Sequence, residues 1–117
     1  MALDHVGKIY PDGTVAIGDL SLRVSAGELT VLLGRPGSGK STALQMINRL
    51  VEPTKGQVLL DGTDVAAADP VELRRRIGYV VTDAGLFGHQ SVRTNVGTVP
   101  RLLGWKRKTI QARSDEM

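Results

Sequence analysis

The sequence predicts an α/β fold, and three features of the chain lead to that prediction. Short segments that are apolar or that alternate apolar with polar residues, as strands do, are separated by segments with apolar residues at helical spacing. Hydrophobic residues make up 41% of the chain and charged residues 23%, as in a folded globular protein rather than a disordered one. The length of 117 residues suits one domain, so we predict a single domain over residues 1–117.

Three strands are predicted before residue 34. Residues 3–10 form the first, and the Pro-Asp-Gly sequence at 11–13 is a turn. Residues 20–24 alternate apolar and polar side chains, which indicates a half-buried strand. Residues 29–33 are almost wholly apolar, as expected of a strand covered on both faces of a parallel sheet.

Helices and strands continue to alternate after residue 41. Residues 42–51 are predicted as a helix that Pro53 and Gly56 end, and residues 57–60 as a strand closed by the Asp-Gly turn at 61–62. A second helix is capped by Asp69, with Glu72 reaching back to the cap, and residues 77–81 form a further strand. Ser91 caps a helix towards residue 98, and residues 100–113 are predicted to be helical despite Gly104.

Composition excludes several classes of protein. The chain has no cysteine, so it can form neither a disulfide framework nor a cysteine-based zinc site, which suits a reducing compartment. It has no secretory leader pattern and no run of about 20 apolar residues, so we expect any link to a membrane to go through a partner.

The net charge is +3, but aromatic residues are only 3% of the chain. We predict no nucleic-acid partner, and we interpret the basic clusters at 74–76 and 106–108 as solvated ends of helices.

A glycine-rich segment at residues 34–41 reads Gly-Arg-Pro-Gly-Ser-Gly-Lys-Ser and matches the pattern of phosphate-binding loops. The glycines let the backbone curl so that successive N–H groups surround phosphate oxygens. Lys40 supplies a cation to the β- and γ-phosphates, the Ser41 hydroxyl can ligate Mg²⁺, and the following helix directs its positive end at the same anion. A glycine-rich turn of another kind would not need the strand, loop and helix that occur here in the required order.

The loop pattern by itself does not choose among ATPases, GTPases and kinases. Many of these use an acidic residue at the end of another strand to hold Mg²⁺ or to polarise water. Asp61 lies in a turn signal and is predicted to be an exposed turn residue. Asp83 follows the predicted strand 77–81 and supports an alternative hypothesis, a small self-contained kinase or NTPase.

The order of several segments resembles the ATP-binding subunits of ABC transporters. These segments are Tyr10 ahead of the Pro-Asp-Gly turn, the phosphate loop, and the sequences at residues 46–50, 52–56 and 60–62. Residues 69–80 and 98–105 look like the branch that imports osmoprotectants, namely glycine betaine, choline, carnitine and proline. The resemblance implies the N-terminal part of the P-loop NTPase fold of ABC ATPases, with an antiparallel β subdomain beside a partial parallel sheet.

The resemblance also implies roles for single residues. Tyr10 would stack on adenine, whereas the sequence alone favours a strand-end tyrosine packed on the sheet edge. The residues implied to bind Mg-ATP are Tyr10, Gly34, Arg35, Pro36, Gly37, Ser38, Gly39, Lys40, Ser41 and Thr42, with Ser41 on the metal. Residues 85–89 fall where such subunits approach a membrane-spanning partner.

The chain departs from the family pattern at three side chains. Thr82 occupies the position of a glutamine that contacts Mg²⁺ and the attacking water, and threonine lacks the amide for both tasks. Pro36 stands where relatives usually have a serine that bonds the terminal phosphate, and proline offers neither hydroxyl nor N–H. Gly88 replaces a usual proline.

The resemblance implies that the chain ends before the family's signature motif, its Walker B strand with the catalytic glutamate, and its switch histidine. It further implies that the sheet neighbours of residues 29–33 belong to that later part. We therefore expect ATP binding rather than hydrolysis and name no catalytic residue. A truncated reading frame or pseudogene product and a non-catalytic module that docks on a permease stay open as alternatives.

The family's partners follow from the same resemblance. They are a second ATP-binding subunit, the membrane-spanning permease subunits and, indirectly, a solute-binding protein. The implied location is the cytoplasm, at the inner face of the cell membrane through contact with the permease.

Overall fold

The computed structural model describes residues 1–81 and 85–116, which fall into two compact units. One unit runs from Met1 to Gly78 and the other begins at Tyr79. The first unit contains strands β1 (Ala2–Ile9), β2 (Val15–Arg23), β3 (Lys55–Leu60) and β4 (Thr63–Asp64), with helices α1 (Lys40–Ile47) and α2 (Pro70–Arg75) and a 3₁₀ turn at Val65–Ala67. The second unit contains helices α3 (Val92–Val96), α4 (Thr98–Leu102) and α5 (Arg107–Asp115).

The four strands form one antiparallel sheet in the order β2-β1-β3-β4. Leu3 on the central strand β1 lies opposite Leu22 of β2 and Val58 of β3, which fixes the register on both sides. β2 is longer than the predicted segment 20–24, because its first half also pairs with β1. The predicted antiparallel β subdomain is therefore confirmed.

The core of the first unit forms between the sheet and its two helices. Leu3, Val6 and Val58 from the sheet are buried together with Met46 from α1 and Leu73 from α2. Val6 and Met46 have no exposed surface at all. Burying a side chain of this size contributes about 1.5–3 kcal/mol, so this cluster holds α1, and with it the glycine-rich loop, against the sheet.

Helix α1 begins two residues earlier and ends four residues earlier than the predicted helix 42–51. It ends in a Schellman motif, in which the Arg49 N–H donates to the Met46 carbonyl and the Leu50 N–H to the Gln45 carbonyl. Arg49 adopts the left-handed conformation, with φ of 54°, that this motif requires. The end of α1 is thus a local hydrogen-bonded cap well before Pro53, and the prediction that Pro53 and Gly56 end the helix was wrong.

Two arginines fasten the end of α1 to the rest of the unit. Arg74 of α2 donates to the carbonyl oxygens of Asn48 at 3.1 Å and Arg49 at 2.6 Å. The Arg49 guanidinium donates to the Ala68 carbonyl at 2.7 Å. Arg74 is therefore a structural residue rather than part of a merely solvated cluster, because it satisfies carbonyls that the helix end leaves without partners.

The cap of α2 is only partly as predicted. The Asp69 carboxylate accepts from the N–H groups of Val71 and Glu72 at 2.9 and 3.0 Å, so it is the cap. The Glu72 carboxylate pairs with Arg75 instead of reaching back to the cap residue. An ion pair three residues along the helix thus replaces the reciprocal bond of a capping box.

The predicted strands 29–33 and 77–81 are not strands in the structure. Neither segment has a ladder partner among the described residues, and a strand is defined by pairing with a neighbour. Leu29 and Leu33 expose 90% and 89% of their surface, whereas Leu32 packs against the core. The apolar composition of residues 29–33 was correctly recognised, but no sheet covers them in the part of the chain described here.

Three short helices form the second unit as far as its residues are described. The Ser91 hydroxyl accepts from the Thr94 N–H, which confirms Ser91 as the cap of α3. The predicted helix 100–113 is divided, because Gly104 adopts a φ of 75° between α4 and α5. The cluster 106–108 lies at the beginning of α5, so its interpretation as the last turn of a helix was wrong. Among the residues described, none of the helices is long and apolar enough to cross a membrane.

Candidate phosphate-binding site

The glycine-rich loop at residues 34–41 leads directly into α1. Gly37 and Gly39 have φ of 80° and 85°, in the left-handed region that favours glycine, and α1 begins at Lys40. No side chain of the described residues caps the first turn of α1, and no acidic residue lies in that turn. Its N–H groups and the positive end of the helix are therefore available to an anion.

Gly39 is where the loop contacts strand β2. A Cβ built at this position would collide with the Ala16 carbonyl oxygen and lie 2.9 Å from Cγ1 of Ile17. Gly37 has the same kind of backbone conformation but open space around it. The pattern thus requires glycine at residue 39 for two reasons, conformation and close approach, and at residue 37 for conformation alone.

The Lys40 ammonium points back into the loop. Its Nζ donates to the carbonyl oxygens of Gly34 and Arg35, each at 2.8 Å, and to the Ser38 hydroxyl at 3.1 Å. An ammonium has three N–H donors, so these three bonds use all of them. The cation that would meet a phosphate group is therefore held on the loop itself, beside the uncapped helix.

A cavity of about 360 Å³ opens beside the loop. It is lined by residues of the loop and α1, by Tyr10, and by residues at the start of β2, namely Tyr10, Thr14, Val15, Ala16, Pro36, Gly37, Ser38, Gly39, Lys40, Ser41 and Thr42. A polyphosphate placed there would meet backbone amides, the ammonium and the hydroxyls of Ser41 and Thr42. The structure therefore brings Tyr10 and most of the predicted loop residues to one cavity; Gly34 and Arg35 contribute their carbonyls to Lys40.

Tyr10 follows β1 and is fixed by its backbone. Its N–H donates to the Thr14 carbonyl and its own carbonyl accepts from the Gly13 N–H, both at 2.9 Å. The Lys8 ammonium lies 5.4 Å from the centre of its ring, which is a cation–π distance. The ring is half-buried and lines the cavity. A ligand in the cavity would therefore contact it.

A second cavity of about 350 Å³ lies on the other side of Lys40, with Leu20, Leu32 and Leu33 in its wall. Asp19 also lines it. The hydrogen bond from Lys55, at 3.1 Å, together with a weaker contribution from His5, lowers the pKa of the Asp19 carboxyl below its ordinary value. The ionised carboxylate in its wall repels a phosphate, so the cavity beside Tyr10 suits an anion better.

Ser41 is the candidate magnesium ligand, and it is exposed in the first turn of α1 beside Lys40. Within residues 1–81 and 85–116 there is no group of three or more His, Cys, Asp or Glu residues that could hold a metal ion by itself. A single hydroxyl fits Mg²⁺ only when phosphate oxygens and water supply the other ligands. The donor set thus suits a metal that arrives with a nucleotide.

Other predicted residues lie elsewhere. Thr82 and Asp83 are outside the described residues. Asp61 lies in the turn between β3 and β4 and pairs with Arg76 at 3.0 Å, which confirms it as an exposed turn residue. Within residues 85–89, the Phe87 N–H donates to the Asn95 side chain at 2.8 Å.

Sequence reasoning missed one contribution to the site. Thr14, just before β2, and Val15 and Ala16 at its start line the cavity, and nothing in their residue types indicates that. Ser38 was among the predicted residues, but the hydrogen bond that its hydroxyl accepts from Lys40 was not predicted. Both features follow from how the loop folds over the strand and not from spacing in the chain.

Comparison with known proteins agrees with this geometry. A profile of the ABC transporter family matches residues 17–117. The carnitine transport ATP-binding protein OpuCA of Listeria monocytogenes is 43% identical over 117 residues, which are 100% of this chain and 30% of that protein. The glycine betaine uptake system ATP-binding protein YehX of Escherichia coli is 45% identical over 113 residues, 97% of this chain and 36% of that protein.

A solved structure also resembles the chain closely. The ATP-binding cassette MJ0796, in a dimeric post-hydrolysis state bound to ADP and Pi, superposes with a TM-score of 0.83 at 29% identity over 98% of this chain and 54% of that one. The predicted ABC ATPase fold is thereby confirmed. The present chain spans about a third of the length of the two curated relatives. Because the family profile covers most of its residues, the chain belongs to the ABC transporter family, within the ATP-binding cassette.

Proposed function

We propose that this chain binds the phosphates of ATP at residues 34–42 and contributes this site to the ATP-binding subunit of an importer for quaternary-amine osmoprotectants. The observation that carries the proposal is the loop itself. It places the Lys40 ammonium and the uncapped first turn of α1 beside one cavity, with the ammonium held by acceptors of the loop.

Phosphate binding would use groups that the loop already holds in place. The first-turn N–H groups of α1 donate to phosphate oxygens, and the helix dipole favours the negative charge. Lys40 exchanges part of its bonds to the Gly34 and Arg35 carbonyls for bonds to the β- and γ-phosphates. Pro36 lines the same cavity without donating an N–H, so the terminal phosphate depends more heavily on Lys40.

Ser41 would hold Mg²⁺ through its hydroxyl. Bound there with the nucleotide, Mg²⁺ would supply positive charge that neutralises the phosphates. The role of Ser41 and Thr42 is then to orient that assembly at the start of α1. We propose that Thr82, at the glutamine position, does not replace that residue at the metal, because threonine lacks the amide.

Tyr10 would stack on the adenine base. Its ring lines the cavity, and its backbone is fixed by two hydrogen bonds. Base stacking on an aromatic ring is worth about 1–3 kcal/mol. The Lys8 ammonium near the same ring adds positive charge close to the nucleotide.

We propose ATP binding as the role of this chain and name no residue as a general base. The dimeric state of the MJ0796 cassette supports a second ATP-binding subunit as a partner. The names of the carnitine and glycine betaine relatives support a role in transport. We further propose membrane-spanning permease subunits and, indirectly, a solute-binding protein as partners, and the cytoplasmic face of the membrane as the place.

The proposal is tested by equilibrium dialysis of labelled ATP with Mg²⁺ against the wild-type chain and its Lys40→Ala and Tyr10→Leu variants. Lys40→Ala is expected to abolish measurable binding, because it removes the loop's only ammonium. Tyr10→Leu is expected to weaken ATP binding by roughly tenfold and to leave tripolyphosphate binding unchanged.

Lys55→Ala is the matched control, because Lys55 is an exposed lysine that pairs with Asp19 and does not line the cavity. Equal binding by Lys40→Ala and Lys55→Ala would refute the phosphate site. Equal loss of ATP and tripolyphosphate in Tyr10→Leu would refute the stacking role.

A further inference from the structure

Three arginines converge on a groove in the second unit that the nucleotide site does not use. The groove has a volume of about 320 Å³ and lies between α3–α4 on one side and α5 on the other. We call it the arginine groove, and its polar lining residues are Arg93, Arg101, Arg107, Thr94, Gln111 and Ser114.

Helical spacing explains why these residues meet. Arg93, Gly97 and Arg101 follow one another at four-residue steps, so they share one side of the α3–α4 segment. Gly97 is buried, and a Cβ there would lie 3.1 Å from Cγ2 of Ile110 on α5. The absence of a side chain at residue 97 therefore lets the two segments approach closely at the floor of the groove.

The groove carries excess positive charge. Arg93 pairs with Asp115 of α5 at 2.9 Å. Arg101 and Arg107 have no carboxylate within salt-bridge distance among residues 1–81 and 85–116. Like charges that share one groove repel each other, so the arrangement is stabilised when an anion enters it.

The neighbouring donors favour the same kind of ligand. No side chain in the described part of the chain caps the first turn of α5, which starts at Arg107 and runs for nine residues. Lys106 and Lys108 flank that turn. The hydroxyls of Thr94 and Ser114 are already bonded, to Ser91 and to the Ile110 carbonyl, so charged groups and not hydroxyls would make the new contacts.

We propose that the arginine groove binds a phosphate group, with Arg101 and Arg107 as the residues that contact its oxygens. Two guanidinium groups that have no carboxylate partner in the described part of the chain match the charge of a phosphate dianion, and their planar forks suit its oxygens. The phosphate belongs either to a free anion or to the headgroup of an anionic lipid. The site lies outside the nucleotide-binding loop, and it stands or fails independently of nucleotide binding.

The test uses the full chain with Lys40→Ala, so that the phosphate loop does not contribute. Inorganic phosphate is titrated at constant ionic strength against chloride, and the Nε–H signals of the arginines are followed by NMR. The expected result is saturable shifts at Arg101 and Arg107. Replacing both by glutamine is expected to weaken phosphate binding roughly tenfold or more, because charge-assisted bonds are lost.

Arg113→Gln is the matched control, since Arg113 is an exposed arginine on α5 that pairs with Glu116 and does not line the groove. Circular dichroism checks that each variant keeps its helices.

Vesicles of phosphatidylglycerol, compared with vesicles of phosphatidylcholine, distinguish the two sources of the phosphate group. Binding of phosphatidylglycerol vesicles that the double variant loses identifies a lipid headgroup, and phosphate shifts without vesicle binding identify a free anion. Absence of saturable phosphate shifts, or equal effects in the double variant and Arg113→Gln, would overturn the proposal.

Discussion

At the scale of single residues, the Lys40 ammonium decides how the loop meets a phosphate. Its three N–H groups are all used within the loop, by two carbonyls and the Ser38 hydroxyl. A phosphate must therefore compete with these acceptors before it gains the cation. The sequence pattern predicts the lysine, but it does not predict that the loop occupies all three of its N–H donors.

Ser38→Ala is expected to strengthen ATP binding by about threefold to tenfold, because one competing acceptor worth about 1 kcal/mol is removed. Titration calorimetry of the variant beside the wild type measures the change. Binding weakened to the level of Lys40→Ala would show that the Ser38 hydroxyl contacts the ligand rather than competing with it.

Gly39 and Gly37 make a matched pair for the loop backbone, since both are left-handed but only Gly39 is crowded. Gly37→Ala should cost about 1 kcal/mol of the free energy of unfolding, the penalty of a left-handed alanine. Gly39→Ala should cost about 2–4 kcal/mol, because its Cβ also collides with β2. Urea unfolding measures both, and equal losses would show that β2 does not press on the loop.

At the scale of elements, α1 is positioned by its ends as much as by its apolar face. Its first turn carries the ligand groups, and its last turn is closed by the Schellman motif and by Arg74 from α2. The sequence predicts the helix from apolar spacing. It does not predict where the helix ends, because the cap depends on the left-handed conformation of Arg49, and Arg74, 25 positions later in the chain, bonds the Arg49 carbonyl.

Arg74→Ala is expected to lower the free energy of unfolding by about 1.5–3 kcal/mol, the range for hydrogen bonds made by a charged group. Arg75→Ala is the matched control, because Arg75 makes an exposed ion pair with Glu72 worth about 0–1 kcal/mol. Thermal and urea unfolding of both variants give the comparison. Similar losses for the two would mean that Arg74 does not hold the end of α1.

At the scale of the whole molecule, the sequence predicts the fold class and the family correctly but misplaces two strands. Residues 29–33 have the composition of a buried strand and lack a ladder partner among the described residues. Periodicity reports which side chains avoid water, whereas strand pairing depends on a neighbour that the pattern cannot supply. Of the residues that line the cavity beside the loop, only the loop residues and Tyr10 could be predicted from the sequence. The residues at the start of β2 reach the cavity through tertiary folding.

The exposed segment 29–33 predicts concentration-dependent association of the isolated chain, because an apolar segment without cover pairs with other copies. Light scattering should show a rising mean mass with concentration, and the double variant Leu29→Lys, Val31→Lys should reduce it. Leu102→Lys, a change at a similarly exposed leucine in α4, serves as the control. Equal reduction by the control would place the association elsewhere.

We propose that one loop and one helix end enclose the phosphates of a magnesium-bound nucleotide. Titration calorimetry of ATP into the folded chain, with Mg²⁺ and again with excess EDTA, decides whether they do. We predict saturable binding with one site per chain that weakens when Mg²⁺ is removed and vanishes in Lys40→Ala. A folded wild-type chain that releases no heat of binding with Mg-ATP, or a Lys40→Ala variant that binds as well as wild type, would contradict it.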